Sequence, residues 1–406
     1  MPECLICGSS VEEFMSFGQM PIANAFLNQE EFSSEFFFEL RIGFCSRCAM
    51  LQLTELVDRE KLFHESYAYF SSISLRMEAH FKQFAESVMK TKLDSADPFV
   101  LEIGSNDGIM LRHFADRGIR HLGVEPSENV ARAAMEKGVN TTCRFFDKDL
   151  ASEIRSEYGQ ADAILAANVM CHIPYLHSVA DAVASLMKPD GVFIFEDPYL
   201  GDIVEKTAYD QIYDEHAFYF SVSSLSNLFG QYDLEIVNIE PQSVHGGSMR
   251  YTVARKGAVT AASSVARQKD REHSNGLRDL ATFHQFKRNI ETSRDDLLKI
   301  LHREKEENRR IVGYGATSKS TTVLNYCGID NRLIDFISDT TSTKQGKFSP
   351  GMHIPIRPYE EFVNDYPEYA LLFAWNHGQE IMEKEKPYSA QGGRFIVYVP
   401  SVKIMA

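Results

Sequence analysis

Two cysteine pairs, Cys4-Leu-Ile-Cys7 and Cys45-Ser-Arg-Cys48, bracket the start of the chain. A C-x2-C pair presents two thiolates from one tight turn, and two such pairs can close a tetrahedron around Zn2+. Four protein thiolates leave no open coordination position, so this metal is expected to hold structure and not to activate water. Reaction chemistry must then lie further along. The segment from Tyr209 to Phe220, Tyr-Asp-Gln-Ile-Tyr-Asp-Glu-His-Ala-Phe-Tyr-Phe, concentrates aromatic and ionisable groups. Within it His216 can move a proton, Glu215 can orient its imidazole, and Tyr213 can donate a hydrogen bond. Ser66-Tyr-Ala-Tyr-Phe-Ser-Ser72 supplies a second aromatic-hydroxyl cluster, and Asn168-Val-Met-Cys-His172 a further histidine. A single His or Tyr more often packs than catalyses, so the grouping carries the reading.

Two glycine turns are placed to hold ligands. The first, Glu102-Ile-Gly-Ser-Asn-Asp-Gly108, sits between a predicted strand and a predicted helix, where backbone N–H groups favour a nucleotide-like ligand. It does not spell G-x-G-x-x-G. An acid within the strand followed by Gly104 and Gly108 resembles motif I of class I S-adenosylmethionine-dependent methyltransferases, with Asn106 at the usual middle glycine. Glu125 ends the next strand, where a carboxylate can accept both ribose hydroxyls. Lys188-Pro-Asp-Gly191 resembles the turn before that fold's fifth strand. Glu102, Gly104, Ser105, Asn106, Gly108, Glu125 and Asn168 are the expected cofactor contacts, Asn168 because it follows the fourth strand, where a doubly wound sheet opens its crevice. The second turn, Gly313-Tyr-Gly-Ala-Thr-Ser-Lys319, starts like a dinucleotide fingerprint with Asp339 at the end of the following strand, and Lys319 adds a charge for a diphosphate.

The elements that position these groups follow from the apolar pattern. Helical spacing runs from Ser74 to Leu93. Strands Phe99–Ile103, His121–Val124, Ala163–Ala166 and Val192–Phe195 alternate with helices starting at Gly108 and Glu128 and lying near 177–187, which implies a parallel, doubly wound sheet. Leu234–Ile239 and Met249–Ala254 are expected to close it as a hairpin. The proline-free, charge-dense stretch 256–308 reads as linking helices, and a second α/β unit follows with strands near 310–314 and 333–339. The 406 residues imply two or three domains. A formal net charge of -15 without a long basic block argues against general nucleic-acid binding, and no apolar run approaches a bilayer span. The protein is expected to be soluble and cytoplasmic, and its scattered Cys143, Cys171 and Cys327 suit a reducing compartment.

Read in order, these pieces resemble the nucleotide-sugar C-methyltransferases that make branched deoxysugars, including the 3-C-methyltransferases of tetronitrose and mycarose biosynthesis. The resemblance rests on the double C-x2-C, Pro21-Ile-Ala-Asn24, Ser66-Tyr67 with Ser71-Ser72, the turn at Glu102–Gly108, the segment Asn168–His172, Tyr213-Asp-Glu-His216, His245-Gly-Gly-Ser248 and Gly313-Tyr-Gly-Ala316. It implies a zinc-binding module and substrate cover (1–73), a class I methyltransferase core (74–256), linking helices (257–308) and a C-terminal Rossmann-like domain (309–406). It also implies S-adenosylmethionine as cofactor, a structural Zn2+, a nucleoside-diphosphate 4-keto-deoxysugar as methyl acceptor, and a monomer. Tyr67, His172, Tyr213, Glu215 and His216 carry over as active-site groups, with His216 as base held by Glu215, and Asn24, His245, Gly246 and Lys319 as substrate contacts. One departure stands out: Thr317-Ser-Lys-Ser-Thr321 replaces the Pro-Ala-Lys-Gly-Asn common in the family. Two rival readings are a fused NAD-binding oxidoreductase using the second glycine turn and a non-catalytic zinc- and nucleotide-binding assembly protein.

Overall fold

Short buried strands alternating with helices fold into a seven-stranded sheet, seen in a computed structural model that describes residues 2–63, 70–73 and 75–405. Across this sheet the order is Leu234–Gln242, Ser248–Arg255, Met187–Pro198, Ala161–Ala167, Phe99–Ile103, Arg120–Val124 and Thr141–Thr142. The last five are parallel, and the first two form an antiparallel hairpin that docks antiparallel on Met187–Pro198. The parallel strands read as continuous apolar runs because helices cover both faces, among them Leu75–Lys92, Lys148–Tyr158 and Leu176–Leu186. Strand order reverses at the neighbours Phe99–Ile103 and Ala161–Ala167, so a crevice opens at their carboxyl ends, where the turns at Gly104 and Asn168 begin. The helix expected from Gly108 is reduced to the single turn Arg112–Ala115. Ile109, Met110 and Leu111, just before it, are all buried in one apolar cluster.

The N-terminal sheet is antiparallel, in the order Glu12–Pro21, Phe37–Cys45, Met50–Leu53 and Phe218–Tyr219. Its last strand comes from the middle of the chain, immediately after His216, and escapes sequence reading because two buried aromatics show no period. The C-terminal sheet has the order Ile356–Pro358, Ile337–Asp339, Ile311–Tyr314, Tyr369–Leu372, Arg394–Val397 and Lys403–Met405, parallel except for the final strand.

Helices Ser263–Ser274 and Leu280–Glu306 join the two halves. The longer one is a packing element as well as a link: Phe283, Phe286, Ile290, Leu297 and Leu301 form a buried stripe at helical spacing. Phe283 packs its ring against Phe14 and Phe44, at centroid distances of 5.5 and 4.3 Å, and one apolar core runs from the N-terminal sheet through this helix to the C-terminal sheet. No described helix is long and apolar enough to cross a membrane.

Candidate functional site

The four paired cysteines converge. Cys4 and Cys48 place their Sγ atoms 3.4 Å apart and Cys7 and Cys45 theirs 3.5 Å apart, with all four within 4.8 Å of one another. A tetrahedral Zn–S4 site needs S···S spacings of about 3.8 Å, so these residues fit zinc. The backbone N–H of Ile6 donates to Cys4 Sγ. The module is tied to the core beneath it: His177 Nε2 donates to the Ile6 carbonyl at 2.9 Å and Asn227 Nδ2 to that of Cys48 at 3.0 Å.

At the carboxyl ends of the parallel strands lies a cavity of about 290 Å3. Glu102, Gly104, Ser105, Asn106, Glu125 and Asn168 line one part of it. Asn106 takes φ 48°, a left-handed conformation that Asn tolerates, which explains why it can stand where a glycine is usual. Its N–H donates to Glu125 Oε2 at 3.0 Å, and the N–H of Ser127 to Glu125 Oε1 at 2.9 Å, so the carboxylate is fixed by both arms. Burial raises the Glu125 carboxyl above its ordinary range, and burial followed by the Glu125 and Asp107 charges raises Glu102 well above it. Glu102 Oε2, Ser105 Oγ and Asn168 Oδ1 are buried without a hydrogen-bond partner among the described residues. Orphaned acceptors of this kind fit a ligand bearing an ammonium and ribose hydroxyls.

Gly108, an expected cofactor contact, stays out of the cavity lining. It has φ +77°, and a Cβ there would stand 2.8 Å from Val139, so it serves the packing of the turn.

The residues expected to move a proton, His172, Tyr213, Glu215 and His216, line the same cavity. His216 Nδ1 lies 2.7 Å from the Gln211 carbonyl, which accepts only, so Nδ1 carries the proton. Nε2 then presents a lone pair, to which the Tyr213 hydroxyl donates at 2.8 Å. This corrects the expected pairing of His216 with Glu215. The Glu215 carboxylate instead accepts from Asn24 Nδ2 at 2.7 Å, and the orienting group is the backbone carbonyl of Gln211, a partner that residue types cannot reveal. Burial, with His172 next, pulls the His216 pKa well below its ordinary value, and burial holds His172 near 4. Both imidazoles are neutral. Their rings stack 5.2 Å apart, and His172 Nε2 is buried with no partner among the described residues. Cys171 Sγ lies within 4.8 Å of a nitrogen of each; burial, then the Asp197 charge, raises its thiol well above the ordinary value, and its backbone N–H donates to Asp197 Oδ1. Tyr67 lies outside the described residues.

Asn24, His245 and Lys319 reach this cavity from three different parts of the chain. The Ala23 N–H donates to Asp214 Oδ1 at 2.9 Å, and Thr321 Oγ1 to the Ala23 carbonyl at 2.8 Å, so the Pro21–Asn24 segment is clasped between the core and the C-terminal unit. His245 is buried to a pKa near 3, with Nε2 unpartnered among the described residues. Gly246 does not line the cavity. Its φ is +87° and a Cβ would stand 2.3 Å from the Trp375 ring, so it admits that ring. Sequence reading missed Arg59, Lys344, Asn376 and His377, single residues of loops and short turns that also line the cavity. Lys344 Nζ donates to the Ala316 carbonyl at 2.8 Å and sits 4.8 Å over Phe26. Arg59 lies over the rings of Phe145 and Tyr175, at 4.3 and 4.9 Å.

The second glycine turn is organised differently from the expected dinucleotide site. Asp339 spends Oδ2 on the Ala316 N–H, at 2.6 Å, and Oδ1 on that of Thr341, at 2.7 Å, and it does not line the cavity. What the turn contributes is the next stretch, Thr317–Lys319.

Three family models match the chain: a zinc binding domain over residues 4–63, a methyltransferase domain over 76–239 and a C-methyltransferase C-terminal domain over 243–400. The chain is 34% identical to the C-methyltransferase NovU of Streptomyces niveus, over all of this chain and 97% of that protein. It is 29% identical to a ubiquinone biosynthesis O-methyltransferase of Acinetobacter baylyi, over 24% of this chain and 42% of that one. Among solved structures, a methyltransferase of Anabaena variabilis aligns at 17% identity and a TM-score of 0.35, over 43% of this chain and 84% of that one.

Proposed function

The chain belongs to the C-methyltransferase family, and we propose that this S-adenosylmethionine-dependent enzyme methylates C-3 of a nucleoside-diphosphate 4-keto-deoxysugar through an enolate. The observation that supports this reading most is the Tyr213–His216 pair opening onto the same cavity as Glu102 and Glu125.

Methylation at carbon needs a carbanion equivalent, and a neighbouring carbonyl makes the C-3 proton removable if a base and an oxyanion stabiliser are both present. His216 offers the base: with Nδ1 committed to the Gln211 carbonyl, Nε2 accepts the C-3 proton while the C–H electron pair moves into the enolate. For Nε2 to accept, the Tyr213 hydroxyl first swings from it to the acceptor's carbonyl oxygen, where it stabilises the forming enolate, and His172, with a proton on its unpartnered Nε2, offers a second donor. Neutral imidazoles suit these roles, since neither brings a full charge to the oxyanion beforehand. S-adenosylmethionine, when bound by Glu102, Ser105, Asn106, Glu125 and Asn168, supplies a methyl group that a carbon nucleophile takes as sulfur keeps the electron pair. Lys319, Lys344, His245 and His377 face the cavity and supply the cationic and hydrogen-bonding character that a diphosphate requires. Zinc stays in its own module.

The test is incubation with S-adenosylmethionine and a panel of thymidine, guanosine and cytidine diphosphate 4-keto-6-deoxysugars, read by product mass and by the position of the new methyl group. One panel member should gain a methyl group at C-3. Absence of product from every member, in enzyme that binds S-adenosylmethionine, would overturn the proposed acceptor class.

A further inference from the structure

The turn that carries His245 is fixed more completely than a link between two antiparallel strands requires. His245, Gly246 and Gly247 all take left-handed backbone conformations, with φ of 52°, 87° and 135°. The two glycines adopt them freely, but His245 bears a Cβ and is strained there, a state that persists only where the surroundings impose it. Four donors impose it. The Gly247 N–H donates to the Val244 carbonyl at 2.9 Å, Gln211 Nε2 to the His245 carbonyl at 2.5 Å, Lys206 Nζ to the Gly246 carbonyl at 2.6 Å and the Tyr199 N–H to the Gly247 carbonyl at 3.2 Å. With these carbonyls taken, His245 lines the cavity with its Nε2 buried and unpartnered among the described residues.

Gln211 has a second attachment. Its backbone carbonyl accepts from His216 Nδ1 at 2.7 Å, and the residue is 2% exposed and itself lines the cavity. A carbonyl only accepts, so the Gln211 amide must turn its N–H2 toward His245. One side chain and one backbone oxygen of the same residue therefore hold two histidines of one cavity.

We propose that Gln211 is a positioning residue: its side-chain amide locks the strained turn, so that the His245 imidazole meets the acceptor's diphosphate from a fixed place, while its backbone carbonyl holds the base. The first half acts through His245, and therefore rests on the reading that His245 is a diphosphate contact. The two halves separate by substitution, because a change of side chain releases the turn and leaves the carbonyl on His216.

Calorimetry with the full-length protein tests it, using whichever of thymidine, uridine, guanosine and cytidine diphosphate binds tightest, at about pH 8, where a terminal phosphate is fully ionised. Gln211→Met keeps the length of the side chain without an N–H and should weaken the nucleotide by about tenfold, with S-adenosylmethionine affinity unchanged. His245→Ala should weaken it by at least as much. In the double variant the loss should match that of His245→Ala alone, since residues acting through one another do not add. Lys206→Met releases the neighbouring carbonyl from a partly exposed position, with less risk to the fold, and should weaken the nucleotide in the same non-additive way. Losses that multiply in the Gln211→Met, His245→Ala double variant would overturn the positioning role. So would unchanged affinity in both Gln211→Met and Lys206→Met, or a parallel loss of S-adenosylmethionine affinity, which would mark a general loosening of the core. Wild-type affinity in His245→Ala would instead overturn the underlying reading of His245 as the diphosphate's partner.

Discussion

The Tyr213 hydroxyl donates to His216 Nε2 across 2.8 Å, and the imidazole's other nitrogen is committed to the Gln211 carbonyl. The imidazole is therefore held in one tautomer, with Nε2 as its accepting nitrogen. His216→Ala should reduce deuterium wash-in at the acceptor's C-3 by about 10²- to 10⁴-fold while leaving S-adenosylmethionine binding nearly intact. Tyr213→Phe should slow methyl transfer by less, because the base remains. Normal wash-in in His216→Ala, followed by NMR in D2O, would remove His216 as the base.

The pH dependence has a definite sign. A base must be unprotonated to act, and burial places the His216 pKa well below its ordinary value. Acidification through about pH 6.5, where an exposed imidazole is half protonated, should leave kcat/KM level, with the acid limb appearing only at lower pH. A profile that breaks at the ordinary histidine value would show that His216 is solvated in the working enzyme.

Much of this was legible in the sequence where the signal is local. Each C-x2-C pair and the Glu102–Gly108 turn is local in the chain, whereas the meeting of the two pairs, 38 and 44 residues apart, and of Asn106 with Glu125, 19 residues apart, is made by the fold. The partner of His216 was not legible, because a backbone carbonyl carries no residue signature and the adjacent Glu215 is the more obvious candidate. Asn24 and Glu215 are far apart in the chain, and the N-terminal sheet, completed by Phe218–Tyr219, brings them together with the Ala23–Asp214 hydrogen bond.

Glu125 should matter to the cofactor and not to proton abstraction. Each oxygen already holds one backbone N–H, and the residue lines the cavity. Glu125→Ala loses two charge-assisted acceptors and should weaken S-adenosylmethionine binding by about 3 kcal/mol, roughly 100-fold in Kd by calorimetry. Glu125→Gln, which keeps one acceptor oxygen, should fall between. Unchanged affinity in Glu125→Ala would refute the ribose assignment.

Zinc removal should reach the active site through the sheet and not through the metal's own chemistry. Cys45 and Cys48 flank the turn into Met50–Leu53, whose Leu51 and Gln52 pair with Tyr219 and Phe218, two residues beyond His216. Chelation should lower Tm and, in parallel, the hydrogen-exchange protection of the Phe218 and Tyr219 amides and the activity. A metal-free protein with unchanged Tm and protection but no activity would contradict the structural role.

Asn24 separates a packing role from an electrostatic one. Its amide donates to the Glu215 carboxylate at 2.7 Å inside the cavity, beside His216. Asn24→Ala removes a single hydrogen bond to a charged acceptor, so kcat should fall by about tenfold, equally at every pH. Asn24→Asp keeps the shape but sets a second carboxylate against the first, and two carboxylates sharing a site cannot both ionise without raising the pKa of one strongly. At alkaline pH this variant should be the slower of the two. On acidification one carboxyl gains a proton, the hydrogen bond to its neighbour re-forms, and kcat should rise toward the wild-type value. That trend runs opposite to the acid limb of a general base, so the two pH profiles distinguish the effect. Parallel profiles for the alanine and aspartate variants would mean that Asn24 only fills space beside Glu215.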